Sequence, residues 1–198
     1  MSGPREALSA DPVLADLVET YGFPSLSPSD DPFRRLCVSI VGQSVSTASA
    51  RAVRERLFAE LGAVTPEGVL AVDRDDLRAA GLSAAKVDYL RAAARAFQER
   101  DYSRAAFEGL SDDAAVERLT RVRGVGEWTA ETFLLFALGR EDVLPLGDLA
   151  LRRGLAELYG AEDRAAMRSV AEPWRPYRSY ATLLLWKAYE DDADAPLA

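Results

Sequence analysis

Apolar and polar positions in this chain recur at intervals of three and four, the spacing of a helix, nearly everywhere along its length. Residues 11–22, DPVLADLVETYG, read as a short helix closed by Gly22. Residues 23–32, FPSLSPSDDP, are rich in turn formers and connect it to the next element. Asp31 is placed to cap a helix with Pro32 at its first position, running through FRRLCVSIVGQSVS. Ser46 or Thr47 then caps ASARAVRERLFAELG. TPEGVLAV and DRDDLRAAG read as two short helices, and GLSAAKVDYLRAAARAFQER as an amphipathic one capped by Ser83. SDDAAVERLTRV starts at Ser111, with acids in its first turn that suit the helix dipole. The last helix includes YRSYATLLLWKAYE, and the tail from about Asp191 is expected to fray. No strand pair with a hairpin turn and no internal repeat is found. The expected fold is all-α, with about ten helices.

The pattern breaks most sharply in RLTRVRGVGEWTAETFLLFALG, residues 118–139. Gly124 and Gly126 interrupt a helix that restarts at once with Trp128. One reading is a tight αα-hairpin in which glycine supplies positive φ. The other is an anion site: a glycine turn opening a helix presents backbone N–H groups outward, and the dipole favours negative charge there.

Composition narrows the chemistry. Of 198 residues 48% are apolar, enough for a substantial core, and no apolar run spans a bilayer. The N-terminus MSGPREALSADP lacks the basic-then-apolar pattern of a secretory signal. Cys37 is the single cysteine and histidine is absent, which removes an internal disulfide, a four-cysteine iron–sulfur site and the commonest general base. Acid–base chemistry therefore rests on carboxylates, tyrosine, lysine or arginine. The net charge of −8 runs against nucleic acid as a partner. An amide-based phosphate grip would not depend on that charge.

With the hairpin in place, the chain resembles the helix-hairpin-helix DNA glycosylase superfamily, and within it the alkylbase, 3-methyladenine DNA glycosylase II type. Four segments carry the resemblance in order. They are FRRLCVSIVGQSVSTASA with its S-I-x-x-Q-x-x-S pattern, GLSAAKVDYLRAAA, the hairpin followed by EDVLPLGDLALRRG, and EPWRPYRSYATLLLW. The resemblance spans roughly residues 31–189 and implies two helical subdomains with a cleft between them. These are expected at about 1–30 plus 141–198, and at about 31–140 with the hairpin at 119–130. The chain is too short for the extra N-terminal β domain of some members and resembles the compact form.

The resemblance assigns Asp148, after the Gly/Pro loop with Pro145 and Gly147, as the catalytic carboxylate. Its alternative is a helix N-cap, and one residue can do both jobs. Trp128 stands where some relatives carry a Schiff-base lysine, so a monofunctional enzyme is implied: water releases the base and leaves an abasic site. Trp128, Tyr177, Gln43, Phe23, Thr132 and Leu149 are the expected substrate pocket. Trp186 and Tyr180 are read as core packing. Arg123, Gly124, Val125, Gly126, Ser44 and Lys86 are the expected DNA contacts. Ser44 stands where a bulky wedge residue is usual, which leaves the filler of the flipped base's gap open. The carbonyls of Thr120, Val122 and Val125 are the positions at which the family holds a monovalent cation, and no other cofactor is required. The implied partner is double-stranded DNA with damaged bases, acted on by a monomer in the cytoplasm with the chromosome, with no membrane association. A glycosylase for another lesion, or a non-catalytic hairpin protein, are the competing readings.

Overall fold

The computed structural model describes residues 3–191, which fold into helices with no strand among them. Twelve α-helices follow in chain order: α1 (Pro4–Leu8), α2 (Pro12–Tyr21), α3 (Pro32–Gly42), α4 (Thr47–Leu61), α5 (Pro66–Ala71), α6 (Arg74–Ala79), α7 (Ala84–Glu99), α8 (Asp112–Thr120), α9 (Glu127–Phe136), α10 (Leu149–Tyr159), α11 (Arg164–Ala171) and α12 (Arg178–Asp191). Two 3-10 turns lie at Arg104–Phe107 and Glu172–Trp174. The expected fraying tail, beyond Asp191, falls outside the described residues.

Local chemistry explains most helix starts. Asp31, Ser46, Ser83 and Ser111 each accept a backbone N–H three residues on, at 2.9, 3.3, 3.2 and 3.2 Å. Such caps satisfy amides the helix itself leaves unpaired. Two helices were not foreseen. One is the five-residue α1, and the other is α11, which Asp163 caps with 2.8 Å bonds from the Ala165 and Ala166 amides. The helix expected to continue through Ser46 instead ends at Gly42, because Gln43 turns to ψ 129° and Ser44 to φ 56°.

The chain forms two compact units, one from residues up to Ser27 together with those from Gly139 onward, the other from Pro28 to Leu138. In the second unit α3 packs on α7 and α9, α5 on α7 and α8 on α9. Phe33, Phe97, Tyr102, Phe107 and Phe133 form a continuous aromatic row with centroid separations of 5.2, 5.0, 6.1 and 5.7 Å. Ring pairs at these distances add to the burial energy. Cys37 is buried there, and burial pushes its thiol well above its ordinary pKa, so it stays protonated and inert.

In the first unit α10 and α2 both pack on α12. Asp11 joins them chemically. One oxygen caps α2 and accepts the Tyr159 hydroxyl at 3.0 Å, while the other accepts the Trp174 indole N–H at 2.9 Å. Burial, and then the Asp11 carboxylate, raise the Tyr159 pKa, so the hydroxyl remains a donor.

Candidate active site

Asp148 is the N-cap of α10. Its Oδ1 accepts the Leu151 N–H at 2.8 Å and the Trp186 indole N–H at 2.9 Å. The carboxylate is therefore held by one donor from its own helix and one from α12. Both bonds go to a charged acceptor, the stronger class of hydrogen bond.

The loop that delivers Asp148 is clamped from the same helix. Arg178 grips Asp142 through both carboxylate oxygens, at 2.6 and 3.0 Å, and also donates to its carbonyl at 2.9 Å. Arg175 adds a 2.8 Å bond to Asp142. The fully buried Ser179 donates to the Arg140 carbonyl at 2.6 Å and accepts the Val143 N–H at 2.9 Å. The Tyr180 hydroxyl donates to Glu141 at 2.7 Å. Its pKa is pushed up to about 12 by burial and by that acid, so it stays protonated. Nearer the aspartate, Arg152 reaches the Leu146 and Gly147 carbonyls at 2.9 and 3.0 Å, and the Asp148 N–H closes a turn on the Pro145 carbonyl at 2.8 Å. The run R-S-Y-A-T-L-L-L-W is thus a scaffold: its polar members fix residues 140–143, and its final tryptophan fixes the carboxylate itself.

Trp186 was expected to be core packing only. It is 5% exposed, as a core residue would be, but its N–H is spent on Asp148. Nothing in the sequence announces this, because donor and acceptor lie 38 residues apart. Trp186→Phe keeps most of the ring volume and deletes the donor. For the DNA glycosylase that the sequence resembles, the single-turnover rate of base release should fall about tenfold, the loss of one hydrogen bond to a charged group. Affinity for abasic DNA should be unchanged. Equal losses in rate and binding would make Trp186 structural alone.

In the same unit, Tyr177 is half-buried and meets Tyr180 edge-on at 6.3 Å, while Tyr180 stacks on Phe23 at 5.3 Å. Two expected pocket aromatics are therefore joined through a residue read as core. Leu149, next to Asp148, is 53% exposed.

The hairpin belongs to the other unit. Its turn is closed by the Val125 N–H on the Val122 carbonyl at 3.0 Å, with both side chains buried. The two glycines, expected to share one role, differ. Gly124 has φ 90°, and a Cβ there would lie 2.1 Å from the Tyr89 ring. Gly126 has an ordinary φ of −87°, and a Cβ there would meet open space. Gly126 is also the N-cap of α9 and, being glycine, caps no amide with a side chain. Trp128 follows in the first turn, half-buried.

Several expected contacts find other employment. Gln43 donates from its amide nitrogen to the Gly124 carbonyl and to Thr129 Oγ1, both at 2.9 Å, so it ties the end of α3 to the hairpin. Thr132 is 4% exposed, with its hydroxyl donated to the Thr129 carbonyl at 2.9 Å, so it lies inside the helix packing. Lys86, expected to face DNA, donates its ammonium to the Val41 carbonyl at 2.6 Å, and partial burial lowers its pKa. Arg123 remains well exposed, 3.5 Å from Asp88. A concavity of about 320 Å³ beside Asp31, Phe33, Phe97 and Tyr102 is lined by none of the expected site residues.

Comparison with known proteins finds relatives along most of the chain. The family model described as HhH-GPD superfamily base excision DNA repair protein matches residues 37–176. The chain is 32% identical over 181 residues to DNA-3-methyladenine glycosylase 1 of Schizosaccharomyces pombe, covering 88% of this chain and 79% of that protein. A Bacillus subtilis relative is 29% identical over 128 residues, and the chain spans only 45% of its length. Among solved structures, that of Schizosaccharomyces pombe 3-methyladenine DNA glycosylase in complex with abasic DNA aligns with a TM-score of 0.83 and 30% identity, covering 99% of this chain and 100% of that one. The DNA-3-methyladenine glycosidase of Bacillus halodurans aligns at 0.78 and 34%, covering 98% and 92%.

Proposed function

The chain belongs to the HhH-GPD superfamily of base excision DNA repair proteins, and from that premise we propose that it is a monofunctional DNA glycosylase that releases alkylated bases such as 3-methyladenine. The observation that carries this reading is the doubly held carboxylate of Asp148 at the end of a clamped loop. Cleavage of the bond between base and sugar puts positive charge on the sugar, as in glycoside hydrolysis. A carboxylate already oriented stabilises that charge without reorganising, and it can orient or deprotonate the attacking water. A non-catalytic DNA binder gains nothing from negative charge facing phosphates, and asparagine would serve as well for the cap alone.

The second unit supplies the grip in this proposal. The α9 amides that begin at Gly126 hold a backbone phosphate, since the glycine at the N-cap brings no side chain to them and open space lies over it. Each unit has an aromatic face, Trp128 in the second and Tyr177 in the first, of the kind that attracts a cationic alkylated purine. The carbonyls of Thr120, Val122 and Val125 fit a monovalent cation in part, because Val122 already spends one lone pair on the Val125 N–H. No helix among the described residues is long and apolar enough to cross a membrane, and we assign the enzyme to the compartment that holds the chromosome.

The test is incubation with duplex carrying 3-methyladenine, followed by alkali. Strand breaks only after alkali are the expected result, and no breaks at all would overturn the reading. Borohydride added during the reaction should trap no covalent complex. Both lysines are occupied, Lys86 on the Val41 carbonyl and Lys187 on the Tyr21 carbonyl at 2.8 Å. A trapped adduct at either lysine would replace the monofunctional mechanism with a Schiff-base one.

A further inference from the structure

Arg34 and Arg35 stand side by side at the start of α3, and each lays its guanidinium on a ring from a different helix. Arg34 lies over Phe58 of α4 at 4.8 Å, and Arg35 over Phe136 of α9 at 4.2 Å. A ring face attracts the cation but leaves the N–H groups in the guanidinium plane to find acceptors elsewhere. Arg34 is exposed, so solvent reaches it. Arg35 is half-buried, and its Nε is buried with no hydrogen-bond partner. A buried donor of that kind calls for an explanation.

The charge around Arg35 is one-sided. Burial, and then the charges of Arg54 and Arg34, lower its pKa, and among the described residues neither Arg34 nor Arg35 pairs with a carboxylate. Two acids close in sequence are engaged: Asp31 accepts the Arg34 N–H at 2.9 Å as the cap of α3, and Glu55 pairs with Arg51 at 2.9 Å. The helix dipole adds to the cost, because the first turn favours negative charge. Arginine cannot shed its proton to escape. A partly buried cation with like charges beside it is unfavourable until an anion joins it. The chain carries 32 acidic residues, so the missing counter-charge is not a matter of supply.

We propose that Arg34 and Arg35, reinforced by the charge of Arg54, bind a phosphate group. The planar guanidinium presents paired N–H groups that match two phosphate oxygens at once. Arg35 lies just over two turns of α3 before Gln43, about 12 Å along the axis. Gln43 is the residue that bonds the hairpin at the Gly124 carbonyl. The site is therefore separate from the hairpin amides. Its phosphate belongs either to a DNA strand or to a free phosphate ion; the recognising chemistry is the same, and the experiment separates the two.

The first arm is differential scanning fluorimetry of the whole chain in inorganic phosphate and in chloride of equal ionic strength. At ten times its Kd, phosphate should raise the parent Tm by about 3–6 °C over chloride. Arg34→Met and Arg35→Met should each lose most of that rise, reflecting a Kd roughly tenfold weaker. General salting effects of phosphate act on parent and variants alike. Circular dichroism confirms folding, and the exposed Arg34→Met carries the test if Arg35→Met does not fold. The second arm is a salt titration of undamaged-duplex binding by fluorescence anisotropy. A slope of log K against log salt shallower by about one in the variants assigns the site to the strand. A parental slope with the phosphate response lost assigns it to the free ion. If both variants keep the parent's phosphate response and its salt slope, the site is overturned. Base release by the parent, read with alkali, decides the glycosylase reading separately.

Discussion

Asp148→Asn should slow base release by about two orders of magnitude or more, the usual cost of removing a preorganised electrostatic partner of the transition state. The substitution is informative because of where the existing bonds fall. The Leu151 amide and the Trp186 indole meet the same oxygen, Oδ1. Asparagine keeps an amide oxygen that accepts from both, and asparagine is as good a helix cap as aspartate. The variant should therefore fold, keep α10 and bind abasic DNA like the parent, while its charge is gone. The measurement is the single-turnover rate on a 3-methyladenine duplex beside the anisotropy of abasic-DNA binding. An undiminished rate would remove Asp148 from the chemistry and leave it a cap.

The two hairpin glycines should fail in different ways, and the contrast separates fold from function. Gly124→Ala forces a side chain into φ 90° and drives its Cβ to 2.1 Å from the Tyr89 ring. Backbone strain and overpacking together should cost about 2–5 kcal/mol. For a chain of this size that corresponds to a fall in Tm of roughly 5–15 °C. Gly126→Val meets neither obstacle: its φ is ordinary and its surroundings are open. Its Tm should stay within a few degrees of the parent, while affinity for abasic and undamaged DNA falls together, because the new side chain stands over the amides proposed to hold phosphate. Differential scanning fluorimetry and a salt titration of binding read the two effects. A stable Gly126→Val variant with parental affinity at every salt concentration would reduce the hairpin to a connection.

Helices, caps and the hairpin were legible in the sequence because each is written in a few neighbouring residues. The caps Asp31, Ser46, Ser83, Ser111 and Asp148 all bond an amide three positions on, a distance any reader of the chain can count. The apolar spacing gave the all-helical class for the same local reason. Where the reading went astray, the deciding contact was distant. The helix through Gly42 stops before Ser44 although its spacing continues, and the Gln43 amide there bonds residues 81 and 86 positions away. Gly124 and Gly126 look alike in V-R-G-V-G, yet only the first needs to be glycine for the fold, because Tyr89 of α7 lies against it. Lys86 was expected to face DNA, and the Val41 carbonyl, 45 positions away, takes its ammonium instead. The sequence by itself determined most of the helical segments, though not α1 or α11, and which carboxylate follows the hairpin. The tertiary structure alone decided that the R-S-Y-A-T-L-L-L-W run clamps the loop carrying that carboxylate. A capping bond joins residues whose separation the helix repeat dictates, whereas a bond across 38 residues forms only when two helices have packed.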